Sequence, residues 1–218
     1  MPPPLLHPYR STQKRTPVHA AVRLERGRGE RTGPRFTSDR IGLHDHDLTR
    51  QHAGAPMGER IIVEGRVLDE EGRPVSGTLI ELWQCNAAGR YRHAEDTHDA
   101  PLDRNFTGAG RTLSDAQGKY RFITIKPGAY PWRNHLNAWR PAHLHFSVLG
   151  PSFASRLVTQ MYFPNDPLLA FDPIYHSAPD ETARASMVAR FDLEGTQPDL
   201  ALCYRFDIIL GALAEHAS

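Results

Sequence analysis

His143-Leu144-His145 is the sharpest chemical pattern in the sequence. Successive side chains of an extended strand alternate faces, so histidines at i and i+2 share a face and can hold one metal ion between them. The residues upstream qualify the kind of site. Trp139-Arg140-Pro141-Ala142 leads straight into the pair, and Tyr130-Pro131-Trp132-Arg133 precedes it. A fixed cation is out of place beside a bare metal ion, but it suits a site where the metal's ligand is an anion. No Cys-x-x-Cys, His-Glu-x-x-His or acidic ligand run accompanies the pair, so zinc and calcium templates fit poorly. The side chain that recurs beside glycine turns is tyrosine: Tyr91 in Gly89-Arg90-Tyr91-Arg92-His93, and Tyr130 after Pro127-Gly128.

Short strands must carry these residues. Arg60 to Asp69 is rich in β-branched residues, Glu70 to Pro74 has turn chemistry, and Thr78 to Gln84 alternates. The same grammar repeats in Arg111 to Leu113, the turn Ser114 to Gly118, and Lys119 to Ile125. Each repeat reads as a hairpin. Further strands are expected at His143 to Leu149, Leu157 to Phe163 and Tyr204 to Leu210. Only Asp180 to Arg190 has a helical pattern, with acidic residues in its first turn and arginine in its last. Many short strands with glycine and proline turns and few short helices predict a mainly β, two-sheet β-sandwich of the prealbumin-like kind.

The length of 218 residues suits one domain behind an N-terminal arm, with the arm at 1–55 and a catalytic domain at 56–218. Residues 1–40 hold nine Lys/Arg against three Asp/Glu, while the remainder holds seventeen against twenty-two. The net charge of +1 therefore conceals a basic arm on a mildly acidic body. Near-neutrality argues against a nucleic-acid binder, and the arm lacks an amphipathic stretch for a membrane surface. Docking on the body or on a partner subunit is the expectation. The opening MPPPLLHPYRSTQKR has neither a sustained apolar core nor a small-residue cleavage site, so a cytoplasmic location is expected. Cys85 and Cys203 cannot build a disulfide framework and are expected as free buried thiols.

The order GRYRH, TIKPGAYPW, WRPAHLHF resembles the intradiol ring-cleaving dioxygenases, with similarity running from about Tyr9 to Leu210. The resemblance implies that Tyr91, Tyr130, His143 and His145 are the four protein ligands of a mononuclear Fe(3+). Charge supports this set: two tyrosinates and a hydroxide balance ferric iron while the imidazoles stay neutral. A free phenol with pKa near 10 needs such a Lewis acid to lose its proton at pH 7.

The implied reaction is iron-activated attack of O2 on a chelated catechol. Tyr130 would leave the metal and act as base, and Arg140 would stabilise the negative charge that develops on the substrate. Trp132, Gln160, Tyr162 and Ile174 are placed around the ring and oxygen cavity, with Tyr9 and Arg15 at the mouth, where they could meet a ring carboxylate. The implied substrate is protocatechuate (3,4-dihydroxybenzoate), opened to 3-carboxy-cis,cis-muconate, with a homologous α chain completing the oligomer. Catechol, hydroxyquinol and 4-sulfocatechol are alternatives that the iron motifs do not separate. The family carries a stretch like His44-Asp45-His46-Asp47 away from the iron, so capping or hydrogen bonding is expected there. A rival of another class is a non-catalytic prealbumin-like binding module, because both turn-linked strand pairs occur in such metal-free domains.

Overall fold

The computed structural model describes residues 38–132, 138–150 and 156–210, together with His19. Eleven strands lie among these residues: β1 (Arg60–Asp69), β2 (Leu79–Trp83), β3 (Ala109–Leu113), β4 (Lys119–Ile125), β5 (Tyr130–Trp132), β6 (Ala138–Arg140), β7 (His143–Leu149), β8 (Arg156–Tyr162), β9 (Arg190–Gln197), β10 (Ala201–Arg205) and β11 (Ile208–Leu210). The helix α1 (Glu181–Ser186) and three short 3-10 turns accompany them. The mainly β, two-sheet sandwich expected from the sequence is the observed fold.

In the first sheet β1 is central. It pairs antiparallel with β4 on one edge and parallel with β10 and then β11 on the other, and β9 closes the far side of β10. Tyr204 to Leu210 is thus two strands, interrupted where Phe206 N–H donates to the Glu64 carbonyl and Asp207 Oδ1 accepts from Arg66 N–H. The second sheet is antiparallel in the order β3-β2-β7-β8, and β5 and β6 form a separate hairpin. Alternation fixes which residues meet between the sheets. Ile61, Val63 and Val67 of β1 and Tyr120 and Phe122 of β4 face Ile80 and Leu82 of β2 and Leu144, Phe146 and Val148 of β7. At about 1.5–3 kcal/mol per fully buried side chain, this layer is what holds β7 rigid.

The two expected hairpins are not hairpins. Both turns form, with Gly72 N–H donating to Asp69 and Gly118 N–H to Asp115. The strands that follow cross to the opposite sheet, so β1 pairs with β4, and β2 with β3 and β7. Local turn chemistry does not decide pairing when each strand carries an apolar face that needs a facing layer. The expected helix is also shorter. Asp180 caps it by accepting from Ala183 N–H, but it ends at Ser186 because Met187 and Ala189 exchange backbone hydrogen bonds with Tyr162 of β8. The chain turns at Met187, and β9 starts at Arg190, where the helix was expected to end.

Residues 44–49 lie along β4, with an Asp47–Ile123 bridge and Leu48 fully buried in the core. Asp45 accepts from Gly42 N–H and from Arg111 Nε (2.7 Å), and Asp47 accepts from the Thr49 N–H and hydroxyl. The His-Asp-His-Asp stretch therefore serves hydrogen bonding, tying the edges of the two sheets together. Both cysteines are free and buried. No helix among the described residues is long and apolar enough to cross a membrane.

Candidate metal centre

The alternation that sends Leu144 and Phe146 into the core sends His143 and His145 to the outer face of the second sheet. Their cross-strand neighbours share that face: Trp83 and Gln160 stand opposite His145, and Tyr162 stands opposite His143. The Trp83 indole stacks on the His145 ring at 4.9 Å between centroids and 5° between planes.

Two loops bring the tyrosines over this face. Asn86 organises the first, its side-chain oxygen accepting from Ala88 and Arg90 N–H and its amide donating to the Pro101 carbonyl. Asp96 accepts from Tyr91 N–H at 2.7 Å. The second loop interlocks with the first, Gly128 N–H donating to the Asn86 carbonyl. Gly89 has φ of +78°, and a Cβ there would collide with the Ala129 carbonyl; a Cβ on Gly128 would meet that of Ala87. Backbone-to-backbone contact between two glycines thus sets the separation of Tyr91 from Tyr130.

The four side chains converge. The Tyr91 hydroxyl lies 3.1 Å from His145 Nε2, and the Tyr130 hydroxyl lies 3.4 Å from His143 Nε2. The imidazole centroids are 4.8 Å apart and those of the phenols 5.5 Å. His143 Nδ1 sits 2.7 Å from the Pro141 carbonyl, which only accepts, so Nδ1 carries the proton and Nε2 presents a lone pair. Burial, reinforced by Arg140 and the neighbouring His145, holds His143 far below the ordinary imidazole range, and burial with Arg140 brings His145 to about 4. Both rings are neutral at pH 7. Burial and the proximity of Tyr130 push Tyr91 up, and burial likewise raises Tyr130.

Two neutral imidazole nitrogens and two phenols whose own environment keeps them protonated make a donor set that fits a trivalent metal. Only a strong Lewis acid would take both phenolic protons, and the resulting charge of two phenolates would offset much of the metal's own.

Beside the four donors lies Arg140, buried with 3% exposure against a fully buried Asp172. Arg140 Nε and Nη2 both reach Asp172 Oδ2, at 3.2 and 3.1 Å, and Nη2 also meets the Gln160 amide oxygen and the Tyr162 hydroxyl. Burial opposes the guanidinium charge, but Tyr162, Asp172 and Tyr130 outweigh it and raise Arg140. The guanidinium lies 5.6 Å from the Trp132 ring. Ile174 joins the group through its N–H, which donates to Asp172 Oδ1. The structure thus brings together Tyr91, Tyr130, Trp132, Arg140, His143, His145, Gln160, Tyr162 and, by its backbone, Ile174. Tyr9 and Arg15 lie outside the described residues.

From the sequence alone, neither Asp172 nor Trp83 received a site role. Asp172 sits in an irregular segment with no motif to mark it. The signal for Trp83 was its place in the alternation of β2, which becomes informative only once β2 is known to pair with β7 in this register.

The comparisons with known proteins give this β-sandwich its class. The family model described as "Dioxygenase" matches residues 31–212, and the chain belongs to the intradiol ring-cleaving dioxygenase family, whose metal is non-heme iron. The protocatechuate 3,4-dioxygenase beta chain of Burkholderia cepacia is 56% identical over 211 residues, covering 95% of this chain and 89% of the relative. The protocatechuate 3,4-dioxygenase alpha chain of the same organism is 30% identical over 154 residues, covering 69% and 72%. The chain spans less than half of the catechol 1,2-dioxygenase of Candida albicans, at 34% identity over 133 residues, 55% of this chain and 42% of the relative. Among solved structures, 3-chlorocatechol 1,2-dioxygenase from Rhodococcus opacus shares the fold, with a TM-score of 0.60 at 24% identity over 83% of this chain and 71% of that one.

Proposed function

We propose that this chain is the iron-bearing β subunit of a cytoplasmic oxidoreductase that cleaves protocatechuate between its two hydroxylated carbons, with both atoms of O2 entering the product, 3-carboxy-cis,cis-muconate. The observation that carries the reading is the convergence of the Tyr91, Tyr130, His143 and His145 donor atoms on one buried face. Those four residues would hold Fe(3+). The iron, when bound, acidifies the catechol and withdraws electron density so that the ring becomes reactive toward O2.

The chain's own groups do the rest. The Nδ1 proton of His143, held by the Pro141 carbonyl, keeps Nε2 aimed at the centre. The stack of Trp83 on His145 holds the second imidazole in orientation. Tyr130 accepts a substrate hydroxyl proton at its phenol oxygen, returning to the protonated state that its buried surroundings favour. Arg140, fixed by Asp172, Gln160 and Tyr162, presents a positive charge that needs no reorganisation as negative charge grows on the ring. Trp132 and Ile174 wall the cavity.

Tyr9 and Arg15 complete the reading as partners of the ring carboxylate, within an arm at 1–55 that serves the catalytic domain at 56–218. A homologous α chain, of the kind that the Burkholderia cepacia pair of chains represents, completes the oligomer. The deciding experiment compares turnover of protocatechuate, catechol, hydroxyquinol and 4-sulfocatechol by the α/β complex. Strong preference for protocatechuate is expected, and preference for any of the other three would overturn the substrate assignment.

A further inference from the structure

In the proposed function Arg140 is a charge directed at substrate, yet most of its donors are already engaged. Nε and Nη2 converge on one oxygen of Asp172, and Nη2 is shared with Gln160 and Tyr162. Among the described residues Nη1 has no hydrogen-bond partner, which leaves it as the donor for an incoming ligand. Asp172 itself is fully enclosed, and its other oxygen accepts from Ile174 N–H at 3.1 Å. One carboxylate therefore joins the cation of the site to the backbone of the segment that walls the same cavity. The Tyr162 hydroxyl, 2.9 Å from the oxygen that Arg140 uses, packs this joint from the strand side.

Two physical consequences follow. A guanidinium gripped through Nε and Nη2 cannot rotate in its plane, so Nη1 has one direction. A paired carboxylate also cancels much of the guanidinium's charge, so Arg140 acts through a directed hydrogen bond to the ring's developing charge more than through a general pull on any anion.

We propose that Asp172 is the positioning residue for Arg140: it aims Nη1 and tempers the guanidinium charge, so that Arg140 favours the charged, reacting substrate over the bound anion at rest. The proposal rests on the proposed function, in which Arg140 faces the substrate.

It predicts a split between binding and rate. Asp172→Asn keeps an acceptor of the same size but removes the charge, leaving a looser and more positive Arg140. In the α/β complex, protocatechuate should bind anaerobically as tightly as to wild type or a few-fold tighter, read from the visible spectral change on binding, while kcat falls about 10- to 100-fold. Asp172→Glu, with the charge retained on a longer arm, should recover part of kcat. The loss should vanish on an Arg140→Gln background, the double variant being no slower than Arg140→Gln alone. Iron content and the thermal midpoint of the iron-free chain serve as structural readouts. An unaltered kcat in Asp172→Asn, a fall in kcat that merely tracks lost iron or lost fold, or losses that multiply in the double variant would each overturn the proposal. A wild-type complex that binds no iron and turns over no catechol would instead remove the functional reading, and the proposal with it.

Discussion

Two clusters of metal-ligating side chains stand on opposite faces of this sandwich, and only one has the makings of a metal centre. On the second sheet, Tyr91, Tyr130, His143 and His145 direct two neutral imidazole nitrogens and two phenol oxygens at one point, with little besides each other to bond. On the first sheet, Glu64 of β1, Asp192 of β9 and Cys203 of β10 place their ligand atoms within 4.8 Å of one another. Asp192 is already committed, and Cys203 holds its proton. Asp192 accepts from Glu194 and Gly195 N–H and lies 3.7 Å from Arg205, and burial together with Glu64 and Asp192 raises the Cys203 thiol to about 11. Proximity is therefore a poor criterion. What separates the clusters is whether the donors are already committed inside the protein, and whether neutral imidazole nitrogens stand among them.

The strongest attempt to break this contrast is His143→Ala. On the proposed ligand set, the centre loses a donor whose tautomer is fixed by Pro141, and the loss of Lewis-acid stabilisation, several kcal/mol, should lower turnover about 1,000-fold or more, with iron gone by elemental analysis. Arg140→Gln comes next. It removes a preorganised charge and should lower kcat about 100- to 1,000-fold. It also strands a fully buried Asp172, at a cost of about 3–5 kcal/mol in a denaturant titration of the iron-free chain. Tyr130→Phe should retain iron yet slow substrate chelation about 100-fold in stopped-flow absorbance, because a proton acceptor is lost while three ligands remain. The smallest effect belongs to the other face: Cys203→Ser or Glu64→Gln should leave iron content and kcat as they are. A loss of iron in either would erase the distinction between the clusters.

How far this arrangement was legible in the sequence depended on the range of the signal. Strand alternation placed His143 and His145 on one face, and glycine turns flagged Tyr91 and Tyr130, because period and turn chemistry are local. The strand ranges of β1, β4 and β7 were equally legible for the same reason. Pairing was not. The turn after Asp69 predicts a hairpin and forms as predicted, but the demand of each apolar face for an opposing layer sends the next strand to the other sheet. The helix from Asp180 was visible from its acidic first turn, and its early end was not, since Tyr162, a distant residue, ends it. Asp172 was invisible for the same reason. It is an ordinary aspartate in sequence, and only the approach of Arg140 from β6 gives it a role.

The contrast between the two faces reduces to a claim about tyrosine. Buried as they are, Tyr91 and Tyr130 hold their protons unless a trivalent metal takes them, and phenolate bound to ferric iron is coloured. The visible absorption spectrum of the purified α/β complex, with its iron content, is therefore the most direct measurement. A red-brown charge-transfer band with stoichiometric iron, lost in His143→Ala and unchanged in Cys203→Ser, is the predicted result. A colourless, iron-free protein, or a band that survives His143→Ala, would contradict the account.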